Sequence, residues 1–180
     1  MQRLVSTPAK PSATALRPAF LPAGWVGAPD MIKGARYPRL LAADVALVQS
    51  LLDEFEIPGN GEDRIAQLTP TGQLLAITNL PLPDGFDPDY VDALVDVSRY
   101  PDPPIGVYVL NDGFNGQQQE LRRRFNLFRD AAYHDADAIP GYTWICHVYP
   151  DNRWQLKPDD LTRGDNLRKY LSLFLSKLEN

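Results

Sequence analysis

Apolar positions along the chain change spacing several times, and each change marks an element. From Leu41 to Phe55, Val45, Val48, Leu51, Leu52 and Phe55 recur at helical spacing, with Ala43 and Asp44 opposite or near the start. This predicts an amphipathic helix, ended by Ile57-Pro58-Gly59-Asn60-Gly61. Arg64 to Thr69 and Leu74 to Leu80 are short β-favouring runs separated by Pro70-Thr71-Gly72, which has hairpin chemistry. Tyr90 to Ser98 alternates through Val91, Ala93, Val95 and Val97, and Ile105 to Leu110 is a fourth run. Connections this short exclude parallel crossovers, so the four runs predict an antiparallel meander. Gln117 to Ala132 reads as an inserted helix with Leu121, Phe125, Leu127 and Phe128 as its stripe. Tyr142 to Tyr149 reads as a buried extended segment. Asp165 to Leu178 closes the chain as an amphipathic helix whose apolar face is Leu167, Tyr170, Leu171, Phe174 and Leu178.

Ahead of these elements, residues 1 to about 40 contain Pro8, Pro11, Pro18, Pro22, Pro29 and Pro38. Proline at that density excludes helix over most of the stretch and predicts an extended or partly disordered arm, its second half pinned by Phe20, Leu21, Trp25 and Val26. The division is therefore an arm, 1–40, and one α+β domain, 41–180. With 180 residues, 44% apolar and 23% charged, the chain has the make-up of one packed domain that needs no disulfide or metal.

A net charge of -5 and a pI near 5.0 argue against a nucleic-acid partner. The run Arg122, Arg123, Arg124 reads as the solvated side of the inserted helix. A single cysteine, Cys146, excludes an internal disulfide framework, and with only His134 and His147 a structural zinc site is not expected. No cofactor is implied. The N-terminus lacks the continuous apolar core of a signal peptide, no stretch approaches the roughly 20 apolar residues of a membrane span, and a free thiol suits a reducing compartment. The expectation is a cytoplasmic protein without membrane contact.

Three local patterns then carry a resemblance. Tyr100-Pro101-Asp102-Pro103-Pro104 precedes Ile105-Gly106-Val107-Tyr108-Val109; prolines there fix φ and withhold backbone donors, so the chain must leave one strand and turn. Ile145-Cys146 is followed eight positions later by Trp154. Tyr133-His134 lies upstream of the cysteine. Together with the element order, these residues resemble the ubiquitin-conjugating enzyme superfamily, over about residues 41 to 178. The bend is one residue shorter than the family's Y-P-x-x-P-P. Where the family continues Y-H-P-N, this chain has Asp135 and Ala136. The similarity is greatest to divergent bacterial members, which occur in operons with an activating enzyme, a ubiquitin-like protein and a metalloprotease, some linked to antiviral defence.

The resemblance implies a UBC-like fold: N-terminal helix, four-stranded antiparallel meander, cysteine-bearing loop segment and C-terminal helix. It also implies an acyl transferase in which Cys146 accepts a ubiquitin-like modifier from an activating enzyme as a thioester and passes it to an amine on a protein target. Trp154 would order the cysteine loop. Asp135, Asp137 and Asp151 read first as solvated loop carboxylates and, as the alternative, as groups that orient the incoming amine and help deprotonate it. The absent asparagine, worth on the order of 3 kcal/mol where such a donor acts directly, leaves three alternatives: Asn152, His147 or His134 substitutes for it, aminolysis is slow, or the domain is a non-catalytic relative. In an extended segment His147 points away from its neighbour's face, which disfavours a Cys146 and His147 dyad, and His134 reads as a structural histidine. The rival reading is a non-catalytic UBC-like module that grips a ubiquitin-like protein or activating enzyme and uses Cys146 only for packing. A scaffold assembling through the arm is a remoter alternative. A papain-like hydrolase is disfavoured because no histidine follows His147.

Overall fold

The computed structural model describes residues 37–56, 61–86, 89–111, 121, 125–129, 137–150 and 153–179. Residues 1–36 of the arm expected over 1–40, the arginine run and most of the inserted segment lie outside them. The elements in chain order are α1 (Pro38–Leu52), β1 (Ile65–Leu68), β2 (Leu74–Pro81), β3 (Tyr90–Asp96), β4 (Gly106–Leu110), β5 (Leu127–Arg129), β6 (Tyr142–Cys146) and α2 (Leu167–Glu179), with a short 3-10 turn at Leu161–Arg163 before α2.

The strands form one antiparallel sheet in the order β1-β2-β3-β4-β6-β5, so the fold is mixed α+β. Its first four strands are the expected meander. The hairpin between β1 and β2 closes where the Gly72 N–H donates to the Thr69 carbonyl at 2.8 Å, with Gly72 at φ 69°, a conformation glycine adopts without Cβ strain. Between Ile77 and Leu80 the β2 to β3 register shifts, and Asn79 takes φ 53° there. The bulge restores Leu80 to the face already used by Leu75 and Ile77, and Asp92 and Arg64 take up the freed backbone groups of Asn79.

Both helices cover one face of the sheet. Leu41, Val48, Leu51 and Leu52 of α1 and Leu167, Tyr170, Leu171, Phe174 and Leu178 of α2 share a core with Val91, Ala93, Val95, Val107, Val109 and Ile145. The alternate positions Ala76, Leu94, Tyr108, Tyr142 and Trp144 form a second buried cluster on the opposite face, as period-two strands require.

One buried carboxylate joins the layers. Asp44, on α1 and fully buried, accepts the Leu167 N–H at 2.9 Å through Oδ1 and the Tyr100 hydroxyl at 3.1 Å through Oδ2. It thereby satisfies a first-turn donor of α2 that has no intrahelical partner, while Asn166 accepts the Lys169 N–H at 2.8 Å.

Four expectations need correction. Asp44 belongs to the core rather than to the outer side of α1, because its two donors replace the water it loses. Phe55 is not on the apolar stripe: α1 stops at Leu52, and Phe55 is 40% exposed with the Arg64 guanidinium 5.9 Å from its ring centroid. The helix starts at Pro38 rather than after the arm, since a proline in the first turn forfeits no hydrogen bond. Finally, the helix expected over Gln117 to Ala132 does not extend through its second half. Leu127–Arg129 is strand, paired with Ile145, Trp144 and Thr143, and a helical pattern there yields to an open sheet edge. Within that segment Leu121 and Phe125 are buried and one helical-turn bond, Phe125 N–H to Leu121 carbonyl, is present at 2.8 Å.

Candidate active site around Cys146

Cys146 is the last residue of β6, opposite Gly106 on β4. It therefore ends a strand and is not carried in a loop as the resemblance implied. The reason is local: a Cβ at Gly106 would lie 2.1 Å from Trp144 Nε1 and 2.8 Å from the Ile145 carbonyl, so only glycine lets the buried Trp144 indole lie across the β4 to β6 ladder. The Cys146 N–H donates to the Asn126 carbonyl at 3.0 Å, tying it to the segment entering β5. The thiol is half-buried at the margin of the outer-face cluster. Burial pushes its pKa up, and the Lys177 ammonium acts in the opposite direction.

His147, one residue on, lies on the other face. It is buried between Tyr170 and Phe174, at centroid distances of 4.7 and 5.4 Å, with Nε2 3.2 Å from the Tyr170 carbonyl. Burial, followed by the nearby Lys177 ammonium, lowers its pKa to about 4, against a smaller upward contribution from the Tyr170 carbonyl. The imidazole is neutral at pH 7. The expectation that alternation separates it from the thiol holds.

Trp154 reaches back to the proline bend. Its indole N–H donates to the Pro101 carbonyl at 2.7 Å, and its ring stands edge-on to Tyr149 at 5.0 Å. Tyr149 in turn donates to Asp165 Oδ1 at 2.6 Å, and the second Asp165 oxygen accepts the Gln155 N–H at 2.7 Å. The segment leaving the cysteine is thus fastened to the bend at one point and to the start of α2 at another. Between bend and segment lies a cleft of about 320 Å³, lined by Asp102, Pro103, Pro104, Ile105, Val148 and Trp154 among others. Val148 is 46% exposed at its mouth.

Of the other expected site residues, Asp137 is exposed, and its backbone carbonyl accepts the Tyr108 hydroxyl at 2.6 Å. His134, Asp135, Asp151 and Asn152 lie outside the described residues. No group of three or more metal-ligating side chains occurs among the described residues, and no described helix is long and apolar enough to cross a membrane.

Sequence reading missed Gly106, Tyr170 and Lys177 as neighbours of the cysteine segment. A signal for the last two was present: Tyr170, Phe174 and Lys177 follow the i, i+4, i+7 spacing of one helix face. No family model, no curated protein and no solved structure matches this chain.

Proposed function

We propose that the chain is a UBC-like conjugating domain of bacterial type, in which Cys146 takes a ubiquitin-like modifier from an activating enzyme as a thioester and yields it to an amine of a protein target. The observation that carries this reading is the joint placement of three sequence features. A partly buried cysteine ends β6, and the following segment is locked to the Tyr100-Pro101 bend by the hydrogen bond from Trp154. An acyl carrier needs a sulfur that a protein partner can reach, on a backbone that holds position after loading. Exchange between thioesters requires no strong base, so the burial of His147 is compatible with it. A cytoplasmic setting and a place in an antiviral conjugation system belong to the same proposal.

A second reading is favoured by one observation: burial pushes the thiol pKa up, as expected of a cysteine kept for packing. In that case the domain binds a ubiquitin-like protein or activating enzyme without catalysis. The two separate on incubation with an activating enzyme, ATP and a ubiquitin-like protein encoded in the same genome, followed by non-reducing electrophoresis. A conjugating domain gives an adduct lost on reduction and absent in Cys146→Ser, whose fold is intact. A binding module gives complex formation without an adduct.

A further inference from the structure

The cleft between the proline bend and the segment leaving Cys146 suits a rigid apolar chain. The bend contributes Pro103, Pro104 and Ile105 to its lining, and the segment contributes Val148, Tyr149 and Trp154. Both aromatic polar tips are already engaged: the Trp154 N–H donates to the Pro101 carbonyl at 2.7 Å, and the Tyr149 hydroxyl donates to Asp165 at 2.6 Å. The two side chains therefore offer an occupant ring surface without a free donor. A segment in polyproline II geometry matches such a wall, since its prolines carry no N–H and its conformation is largely set before binding. A volume of about 320 Å³ admits a few side chains and no folded element. The exposed Asp102 carboxylate, also part of the lining, has no ion pair among the described residues, so an occupant with a cation beside its prolines complements it.

The chain itself supplies a segment of that chemistry. Pro8-Ala9-Lys10-Pro11 is the one P-x-x-P run of the arm, and it holds a lysine. Its tether reaches the cleft. The arm joins the domain at Pro38, and Asp44, six residues on and about 9 Å along α1, accepts the Tyr100 hydroxyl at 3.1 Å. Asp102 follows Tyr100 by two residues, so the arm enters near the bend, on the order of 25 Å from the cleft. From Pro11 to Tyr37 the chain advances 26 residues, which span up to about 80 Å at about 3.1 Å each. Tethering of this kind gives an effective concentration of about 1 mM, so a segment with an intrinsic Kd of about 1 mM fills the cleft in half of the molecules.

From these observations we infer that Pro8-Ala9-Lys10-Pro11 occupies the cleft of its own molecule, with its prolines on the Tyr149 and Trp154 rings and Lys10 against Asp102. The cleft adjoins the thiol: Val148 is two residues beyond Cys146, and Ile105 precedes Gly106, the residue paired with Cys146. A filled cleft therefore shields Cys146 on that side. The docking is independent of what the thiol does. Its consequence rests on the reading of Cys146 as an acyl carrier: the arm competes with the protein that brings the thioester.

The test is zero-length carbodiimide crosslinking of the full-length protein, mapped by mass spectrometry, together with the rate of Cys146 alkylation by iodoacetamide. In the monomer, Lys10 is expected to join Asp102. Lys10→Asp and Asp102→Lys each abolish that crosslink, and the two substitutions together restore it with the charges exchanged. Pro8→Ala combined with Pro11→Ala is expected to weaken the crosslink and to speed alkylation about twofold or more, with unchanged circular dichroism. The inference is overturned if Lys10 joins no carboxylate or others in place of Asp102, if the two are joined only in crosslinked dimers, where a second copy's arm fills the cleft, or if the exchanged pair fails to rescue. A crosslink with unaltered alkylation overturns the shielding and leaves the docking. If both readouts hold but no reducible adduct forms with an activating enzyme and a ubiquitin-like protein, the conjugation reading alone fails.

Discussion

Asp44 and His147 link stability to pH in opposite directions, and replacing Asp44 by asparagine separates them. Burial raises the Asp44 pKa from 3.8 to about 6, with the Leu167 N–H and the Tyr100 hydroxyl pulling it back. The native state therefore binds more protons than the unfolded chain between those values. Stability from this group is full below pH 3.8 and is lost as pH rises through about 6. The shift corresponds to about 3 kcal/mol at about 1.4 kcal/mol per unit. For His147 the native pKa is lowered from 6.5 to about 4, so the unfolded chain binds more protons in that window and stability is lost as pH falls. The magnitude is again about 3 kcal/mol. In wild type the two contributions offset each other across most of the window. In Asp44→Asn the amide oxygen still accepts the Leu167 N–H, while the titration disappears. The stability of the variant minus that of wild type should therefore fall by about 3 kcal/mol between pH 7 and pH 4, as measured by urea unfolding followed through tryptophan fluorescence. His147→Gln should move the same difference upward on acidification. A difference for Asp44→Asn that stays constant with pH would show that its carboxyl titrates normally, and the buried hub between α1, α2 and the bend would be refuted.

Gly106→Ala forces the Trp144 indole or the β6 backbone to move, and should lower stability by about 3 kcal/mol in thermal unfolding; an unchanged midpoint would contradict the packing described. Trp154→Phe keeps the edge contact with Tyr149 but leaves the Pro101 carbonyl without its donor. It should cost about 1 to 2 kcal/mol and speed proteolysis of the 147–155 segment, whereas unaltered proteolysis would mean that the bend does not hold this segment. Asn166→Ala removes a cap from α2 and should cost about 1 kcal/mol in urea unfolding; no change would show that Asp44 alone suffices there.

Periodicity by itself determined the frame: a first helix over Leu41 to Phe55, whose two ends the structure moves to Pro38 and Leu52, four antiparallel runs with a Pro-Thr-Gly hairpin, and a closing amphipathic helix with its buried face. These are local or nearest-neighbour properties, because apolar spacing and turn residues act within a few positions. The candidate nucleophile was legible as well, as the only cysteine, and so was the turn of His147 away from it. Tertiary structure alone decided the rest. Asp44 looks like a surface carboxylate until α2 and Tyr100, distant in sequence, supply its donors. Leu127–Arg129 patterns as helix until β6 offers unpaired backbone groups. The hold of Tyr170 and Lys177 on His147 unites a strand and a helix through contacts 23 and 30 residues apart. Pairings across such separations depend on which faces meet when the core closes, and no local pattern encodes that choice.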